Sequence, residues 1–275
     1  MPHPRGKICI LACESGRPFA EKVYKVLKAV DVDVRMAETE EIRFANTEVK
    51  TVLSESIRGE DVSIFQNVEN SVTRYSVDEN LRALLTAIDT VYRCDANYIT
   101  AVVPTFPYAR QDKQETREGI TAVRVAMELE NCPGASHVLT LDVHNKAIQG
   151  FFRKARFDNL AASFNLINYF ENSDDIDLEN TTVISTDIGG AKRADYYARQ
   201  LKTDIAFTYK KRNYGKANSV EDVDIMGELD GRDVLIIDDM ICTAGTLTSV
   251  ARTAKEKGAQ KVVAACSLPL FNGEA

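Results

Sequence analysis

No stretch of this 275-residue chain is apolar for long enough to cross a membrane, so the sequence predicts a protein without a membrane span. The apolar run at residues 8–12 is short and is followed closely by Glu14, and we therefore expect no secretory signal peptide. The six cysteines form no paired Cys-x-x-Cys spacing of the kind that binds zinc. These absences together predict reduced thiols in a cytoplasmic protein.

Two common nucleotide-binding signatures are also absent. The chain has neither the GxxxxGK[ST] phosphate loop nor the GxGxxG dinucleotide fingerprint, which argues against a P-loop kinase or a dehydrogenase. The net charge is −7, from 34 basic and 41 acidic residues, whereas a nucleic-acid-binding protein needs a basic surface. We therefore expect no nucleic-acid partner, and any use of ATP must rely on another architecture.

Apolar strand patterns alternate with amphipathic helix patterns along the whole chain. The predicted strands are residues 7–12, 62–66, 99–103, 138–141, 182–185, 205–209, 234–237 and 261–266, and the predicted helices are residues 19–30, 80–93, 121–130, 191–201 and 247–257. This alternation predicts an α/β fold with mostly parallel sheets flanked by helices. We divide the chain into two similar lobes, residues 1–150 and residues 151–275.

The most informative stretch is residues 233–247. A short buried strand, predicted at residues 234–237, stops at two adjacent carboxylates, Asp238 and Asp239, and a small-residue turn then leads into a helix. Backbone N–H groups at a helix N-terminus bind phosphate, whereas carboxylates suit sugar hydroxyls or a magnesium ion shared with phosphates. The pattern therefore predicts a phosphorylated sugar held at both ends. The alternative is an ordinary strand-to-helix turn with two solvated acids.

This stretch resembles the ribose-phosphate-binding signature of the superfamily that contains phosphoribosyltransferases and PRPP synthetases (ribose-phosphate pyrophosphokinases). The resemblance implies that Asp238 and Asp239 hold the ribose 2- and 3-hydroxyls. It assigns the 5-phosphate to the turn formed by Cys242, Thr243, Ala244, Gly245 and Thr246. The chain departs from the family pattern at Cys242, where Asp is usual. The fold that the resemblance implies is phosphoribosyltransferase-like in both lobes.

Two segments of the first lobe resemble PRPP synthetases in particular. The Arg-Phe-Ala-Asn-Thr-Glu sequence at residues 43–48 resembles their adenine loop, and residues 104–113 resemble their ATP-contacting segment. An aromatic ring near a carboxamide and a carboxylate can stack on a base and bind its edge. The residues that the resemblance implies for ATP binding are Phe44, Asn46, Glu48, Arg110 and Gln111. Polar surface loops are the alternative interpretation of both segments.

Further polar residues follow predicted strands. Asp142 and His144 lie two residues apart at a strand end, so strand alternation places both side chains on one side. The resemblance implies that His144 and Asp187 belong to the magnesium site. Lys210 and Arg212 also alternate and match the catalytic Lys-x-Arg of the synthetases. A structural histidine and a solvated basic run are the alternatives.

The resemblance extends over residues 7–275 and implies a ribose-phosphate diphosphokinase, which converts ATP and ribose 5-phosphate into PRPP and AMP with Mg²⁺. It also implies a dimer-based homo-oligomer, with hexamers known in the family. Two alternatives stay open. A non-catalytic regulatory relative is favoured by Cys242, by the short, less basic loop at residues 114–117 and by the shorter C-terminal part, whereas His144, Asp187, Lys210 and Arg212 count against it. A PRPP-consuming phosphoribosyltransferase would typically have one lobe. Family members usually continue past the position of Ala275, so we expect an exposed sheet edge in the second lobe.

Overall fold

The computed structural model of the protein describes residues 6–69, 72–211, 222–273 and 275. The chain packs into two compact units, of which the first extends to Leu160 and the second begins at Ala161. No helix within these described ranges is both long and apolar enough to cross a lipid bilayer.

The first unit is built around one parallel sheet. Its elements are β1 (Ile8–Ala12), α1 (Arg17–Ala29), β2 (Val34–Met36), β3 (Thr39–Arg43), β4 (Val49–Leu53), β5 (Asp61–Phe65), α2 (Val77–Arg93), β6 (Tyr98–Val102), α3 (Thr121–Asn131), β7 (Ala135–Leu141), a 3₁₀ turn (Lys146–Phe151) and β8 (Arg156–Leu160). Six strands pair in the order β2-β1-β5-β6-β7-β8, and every neighbouring pair is parallel. Strands β3 and β4 form a separate antiparallel hairpin.

Helices cover both faces of this sheet because its central strands are apolar on both sides. In β1, Cys9 and Leu11 belong to the core that packs against α2 and α3, whereas Ile10 and Ala12 face the core under α1. A strand whose successive side chains are all buried has no solvent-facing side. The continuous apolar run at residues 8–12 therefore indicates that β1 lies inside the sheet.

Helix α2 begins at Val77, before the predicted start at residue 80, because Ser76 caps it. The Ser76 hydroxyl accepts a hydrogen bond from the Glu79 N–H at 3.3 Å, and the Glu79 carboxylate accepts one from the Ser76 N–H at 2.8 Å. This reciprocal capping box satisfies two backbone donors at the helix end. The apolar periodicity starts only after this polar first turn, so it could not predict the helix start.

The second unit repeats the design with fewer strands. Its elements are α4 (Ser163–Glu171), a 3₁₀ turn (Leu178–Asn180), β9 (Thr181–Ser185), a 3₁₀ turn (Ile188–Gly190), α5 (Ala191–Leu201), β10 (Asp204–Ile205), β11 (Phe207–Lys211), β12 (Asp222–Met226), β13 (Asp233–Ile241), α6 (Gly245–Glu256) and β14 (Lys261–Pro269). Four strands pair in parallel in the order β10-β9-β13-β14. Alternate residues of β13 face α4 and α5 on one side and α6 on the other. The predicted α/β class is confirmed.

The single strand predicted at residues 205–209 is wrong, because the chain forms two strands there. Strand β10 pairs in parallel with β9, and β11 pairs with β12 in a separate antiparallel hairpin. Ala206 lies between them, is 1% exposed, and belongs to the core under α6. The change of partner at a small buried residue leaves no trace in the apolar pattern.

Candidate active site

The two acidic residues that end the predicted strand at residues 234–237 lie inside a longer strand. Strand β13 continues through Asp238 and Asp239 to Ile241, so the prediction that the strand stops at the acids is wrong. The reason is the register: β9 pairs with β13 only as far as Ser185 and Ile237, whereas β14 pairs with it as far as Pro269 and Ile241. Both carboxylates therefore lie where β13 has a partner on one side only.

Two side chains from the β9 side contact these acids. The Thr186 hydroxyl donates a hydrogen bond to Asp238 Oδ2 at 2.6 Å. Arg193, on α5, places Nη1 3.1 Å from Asp238 Oδ1 and 3.3 Å from Asp239 Oδ1. Neither residue belongs to a motif that could be recognised in the sequence. Their only trace in the sequence is their position on either side of the Asp187-Ile-Gly-Gly segment.

The acid pair is largely removed from solvent. The side chain of Asp238 is 21% exposed and that of Asp239 is 5% exposed. Burial and the neighbouring Asp239 carboxyl raise the pKa of Asp238 to about 6, and the hydrogen bond from Thr186 opposes this shift. Arg193 supplies one positive charge for two largely buried carboxyls. The pair is therefore poised to accept hydrogen bonds from neutral donors such as sugar hydroxyls.

The turn after β13 presents backbone N–H groups to solvent. Ala244 precedes α6 with a φ of 56°, a left-handed conformation that costs a non-glycine residue roughly 1 kcal/mol. The first N–H groups of a helix have no intrahelical acceptor, and the N-cap residue Ala244 supplies no side-chain acceptor here. Thr243, Gly245 and Thr246 are exposed, and Cys242 is half-buried. Such a helix start is a site for an anion, and for a phosphate in particular.

Asp187 follows the end of β9 and is exposed. Its carboxylate accepts a hydrogen bond from the Gly190 N–H at 3.0 Å and so organises the 3₁₀ turn that precedes α5. A side chain at position 190 would place its Cβ 2.9 Å from Ser185 Cβ, so this close packing requires glycine. One hydrogen bond leaves acceptor capacity on a carboxylate. Asp187 can therefore hold a cation together with ligand phosphates.

Of the two predicted catalytic cations, the structure describes the backbone of Lys210. Lys210 belongs to β11, where its backbone pairs with Val223 of β12. Arg212 lies outside the described residues.

In the first unit, the loops after β6 and β7 meet at the carboxyl edge of the sheet. The Leu141 N–H donates to the Pro104 carbonyl at 3.1 Å, and Asn145 Nδ2 donates to Asp112 Oδ2 at 2.5 Å. These bonds bring the loop that carries Arg110 and Gln111 beside the loop that carries His144.

Arg110, Gln111 and His144 are all exposed. Burial raises the pKa of Glu69, and the charge of Arg110 opposes this shift, which puts the guanidinium within electrostatic range of Glu69. Gln111 Oε1 accepts a hydrogen bond from the Thr121 hydroxyl at 2.5 Å. Two polar loops with an exposed guanidinium and imidazole form a surface that suits a polyanionic ligand.

The prediction that Asp142 and His144 share one side of a strand is wrong, because neither residue belongs to a strand. Strand β7 ends at Leu141, and Asp142 has a φ of 38°, in the left-handed region. The Asp142 N–H donates instead to the Leu160 carbonyl at 2.8 Å. Strand alternation therefore does not extend to His144, although the residue does lie at the carboxyl end of the sheet.

Phe44, Asn46 and Glu48 lie at the tip of the hairpin formed by β3 and β4. All three are exposed, and half of the Phe44 surface is accessible. The Phe44 N–H donates to the Glu48 carbonyl at 2.9 Å, and the Asn46 side chain accepts from the Glu48 N–H at 3.3 Å. An accessible aromatic ring beside an amide and a carboxylate can stack on a planar base.

Arg43, the last residue of β3 before this tip, makes two contacts that hold the hairpin, and it could not be selected from the sequence. Its guanidinium lies 2.5 Å from Glu41 Oε1 and 3.4 Å from the centre of the Tyr75 ring, which is a cation–π contact. Glu41 in turn accepts a hydrogen bond from the Glu14 N–H at 3.0 Å. The hairpin is thus tied to the loop after β1 and to the residues that precede α2.

The donor set limits which metal the protein could hold. Within the described part of the chain, no three His, Cys, Asp or Glu side chains cluster as a preformed metal site. Mg²⁺ usually keeps several waters and binds to one or two carboxylates together with substrate phosphates. Single carboxylates such as Asp187 near a phosphate site fit that mode of binding and do not fit a closed zinc site.

Comparison with known proteins agrees with this arrangement. The N-terminal domain of ribose phosphate pyrophosphokinase matches residues 8–132, and the phosphoribosyl transferase domain matches residues 158–273. A ribose-phosphate pyrophosphokinase of Staphylococcus saprophyticus is 41% identical over 267 residues, which are 97% of this chain and 79% of the relative. That of Wolinella succinogenes is 42% identical over 234 residues, 85% of this chain and 72% of the relative.

A solved structure extends the similarity to the fold. The phosphoribosylpyrophosphate synthetase from Mycobacterium smegmatis superimposes with a TM-score of 0.84 at 30% sequence identity. The match covers 97% of this chain and 83% of that chain. The chain therefore belongs to the ribose-phosphate pyrophosphokinase family.

Proposed function

We propose that this chain is a ribose-phosphate diphosphokinase, which transfers the β,γ-diphosphate of ATP to the 1-hydroxyl of ribose 5-phosphate and yields PRPP and AMP. The observation that carries the proposal is the pair Asp238 and Asp239 a few residues before the phosphate-binding turn at residues 242–246. A largely buried acid pair and a helix start without an N-cap side chain, joined by a short segment, are complementary to the diol and the phosphate of one sugar phosphate.

The acids and the turn have separate roles in this proposal. Asp238 and Asp239 accept hydrogen bonds from the ribose 2- and 3-hydroxyls, in place of part of their contact with Arg193. Cys242, Thr243, Ala244, Gly245 and Thr246 bind the 5-phosphate, mainly through backbone N–H groups. Because the sugar is held at both ends, its 1-hydroxyl has a fixed direction, which is a large part of what phosphoryl transfer requires.

ATP binds, in this proposal, through residues of the first unit. Phe44 stacks on the adenine, and Asn46 and Glu48 bind its polar edge. Arg110 and Gln111 contact the nucleotide from the loop after β6. The family match over residues 8–132 supports these assignments and argues against a phosphoribosyltransferase, which consumes PRPP and has no use for an ATP site.

The chemical step forms a bond between the ribose 1-oxygen and the β-phosphorus and breaks the bond between the β-phosphorus and the oxygen that leaves with AMP. The hydroxyl proton is released, and no covalent enzyme intermediate is needed. Lys210 and Arg212 stabilise the negative charge that develops on the transferred diphosphate and on the leaving AMP.

Asp187 and His144 are the residues proposed for the Mg²⁺ site. A bound Mg²⁺ neutralises phosphate charge and orients the triphosphate. The Asp187 carboxylate is suited to direct or water-mediated coordination, whereas the imidazole of His144 is better suited to a hydrogen bond with a phosphate oxygen, because Mg²⁺ prefers oxygen ligands. A dimer-based homo-oligomer and a cytoplasmic location complete the proposal.

The direct test of the function is AMP and PRPP formation from ATP and ribose 5-phosphate in the presence of Mg²⁺. We expect wild-type turnover and a loss of roughly 100-fold or more in kcat for Lys210→Ala, since a preorganised cation at the developing charge is removed. Lys261→Ala, at an exposed lysine of β14, is the control and should keep full activity. Folded, ATP-binding wild type without turnover would refute the enzyme and favour the regulatory alternative.

Asp187→Asn tests the magnesium assignment. Asn caps a helical turn as well as Asp does, so the bond to Gly190 and the thermal stability should be retained. The lost charge should raise the Mg²⁺ concentration for half-maximal activity by about tenfold. Asp204→Asn, at a largely exposed acid of the same unit, should leave this requirement unchanged. An unaltered requirement in Asp187→Asn would remove this residue from the proposed site.

Asp238→Asn tests the electrostatics of the acid pair. The pKa of Asp238 rises from 3.8 to about 6 on folding, so the folded protein binds this proton more tightly. The resulting stabilisation is fully present below the unfolded pKa and is lost as the pH rises through 6. The variant should therefore gain about 2 kcal/mol of unfolding free energy relative to wild type between pH 4 and pH 7. Denaturant titrations at both pH values would contradict the raised pKa if the difference stayed constant.

A further inference from the structure

The hairpin formed by β11 and β12 stands apart from the four-stranded sheet of the second unit. Tyr209 pairs with Asp224, and Lys210 pairs with Val223, in an antiparallel ladder of two strands only. A two-stranded hairpin is marginally stable by itself. The position of Lys210 therefore depends on how the hairpin is attached to the rest of the unit.

Part of the attachment is apolar. Ala206, just before β11, and Ile225 of β12 are 1% and 2% exposed, and both belong to the core that includes Val250 and Ala254 of α6. Hydrophobic contact holds the hairpin against the helix, but it is non-directional and does not fix rotation or small sliding. Directional contacts are needed to define where a side chain of β11 points.

One such contact is the hydrogen bond that the Thr208 hydroxyl of β11 donates to the Ser185 carbonyl of β9 at 2.6 Å, and several others meet at one carboxylate. Asp224 Oδ2 accepts a hydrogen bond from the Tyr209 hydroxyl at 2.7 Å, and Oδ1 lies 3.0 Å from Lys257 Nζ. The Ile225 N–H also donates to Oδ1 at 2.8 Å. The Tyr209 hydroxyl, Lys257 and the Ile225 amide hold the pKa of Asp224 well below its usual range. The carboxylate is thus ionised at any working pH, and it joins β11, β12 and the end of α6.

Helix α6 links this cluster to the phosphate-binding turn. The helix begins at Gly245, inside that turn, and Lys257 is the residue directly after its last turn. Twelve helical residues span about 18 Å, and a helix of this length is a rigid spacer. A second bond runs from the Thr253 hydroxyl to the Val223 carbonyl at 3.3 Å, opposite Lys210 in the ladder. The same helix therefore carries the turn at one end and supports the hairpin at the other.

We propose that the Tyr209–Asp224–Lys257 cluster is a positioning device that fixes β11, and with it Lys210, relative to α6 and the phosphate-binding turn. The inference rests on the proposed function, because it takes Lys210 as a catalytic cation. The three members of the cluster act through Lys210 and are positioning residues. A displacement of about 1 Å at a catalytic group can lower the rate by two orders of magnitude.

An exposed ion pair with only a structural role makes a different prediction. The Lys257 and Asp224 side chains are 38% and 29% exposed, and exposed pairs contribute little to stability. Loss of a merely structural pair would leave kcat unchanged and shift the melting temperature slightly. Loss of a positioning pair lowers kcat while substrate binding stays intact. The separation of kcat from KM therefore distinguishes the two roles.

The experiment compares Lys257→Met with Lys255→Met. Lys255 lies on the same end of α6, and its Nζ donates to the Gln260 carbonyl at 2.5 Å, away from the hairpin. Both variants remove one cation near the helix C-terminus, so any effect of the helix dipole is matched. Lys257→Arg keeps a cation that can pair with Asp224, and Tyr209→Phe removes the other partner of the same carboxylate.

We expect kcat to fall about tenfold in Lys257→Met, with KM values for ATP and ribose 5-phosphate within about twofold of wild type. Lys255→Met should match wild type in kcat and match Lys257→Met in melting temperature. Lys257→Arg should restore most of the lost kcat, and Tyr209→Phe should lower kcat without changing either KM.

Full kcat in both Lys257→Met and Tyr209→Phe, in a protein whose Lys210→Ala variant is inactive, would overturn the inference and leave the proposed function standing. A tenfold rise in KM with unchanged kcat would also overturn it, because the cluster would then serve binding. A wild-type protein that makes no PRPP would refute the proposed function, and the inference with it.

Discussion

The pairing of β13 with β14 beyond the end of β9 is the constraint on which the candidate site depends. Because β14 continues to Pro269, the strand keeps its extended form through Asp238 and Asp239 and turns only after Ile241. The loss of β9 as a partner after Ser185 opens one side of this segment to Thr186 and Arg193. A strand that ended with β9 would leave both acids on a solvated loop with no fixed direction.

The electrostatic design follows from that geometry. The carboxyls of Asp238 and Asp239 share the single positive charge of Arg193, so the negative charge of this largely buried pair is only partly neutralised. The backbone N–H groups at the start of α6 carry the positive end of the helix dipole, and Ala244 leads into them in a left-handed conformation. Acceptors for hydroxyls and donors for a phosphate are thereby separated along one short segment. A ligand that carries both groups is the natural complement.

Much of the fold could be predicted from the sequence because the central strands of both sheets are buried on both faces. Continuous apolar runs such as residues 8–12 and 234–237 are the direct consequence of that burial, and they alternate with helix periodicity. Short polar or edge elements left no comparable pattern. The antiparallel hairpins of β3 with β4 and β11 with β12 were missed or merged with neighbours, because partner choice and antiparallel pairing are properties of the tertiary fold.

Some residues of the candidate site could likewise be predicted from the sequence, and others could not. Asp238, Asp239 and the turn at residues 242–246 could be selected because residue type and order along the chain carry their chemistry. Arg193 and Lys257 could not, because each acts across long sequence separations that only the folded chain brings within 3.1 and 3.0 Å of their acids. At Asp142 the sequence pattern predicts a strand that is not present, because β7 ends at Leu141 and Asp142 has a φ of 38°.

The most direct test of the acid-pair assignment is calorimetric titration of the protein with ribose 5-phosphate and with 2-deoxyribose 5-phosphate. The two ligands share the phosphate and differ by one hydroxyl. If Asp238 and Asp239 hold the diol, the deoxy sugar should bind at least about tenfold more weakly, since a hydrogen bond to a charged acceptor is lost. Equal affinity for the two sugars would show that the acids do not hold the ribose and would contradict the central claim.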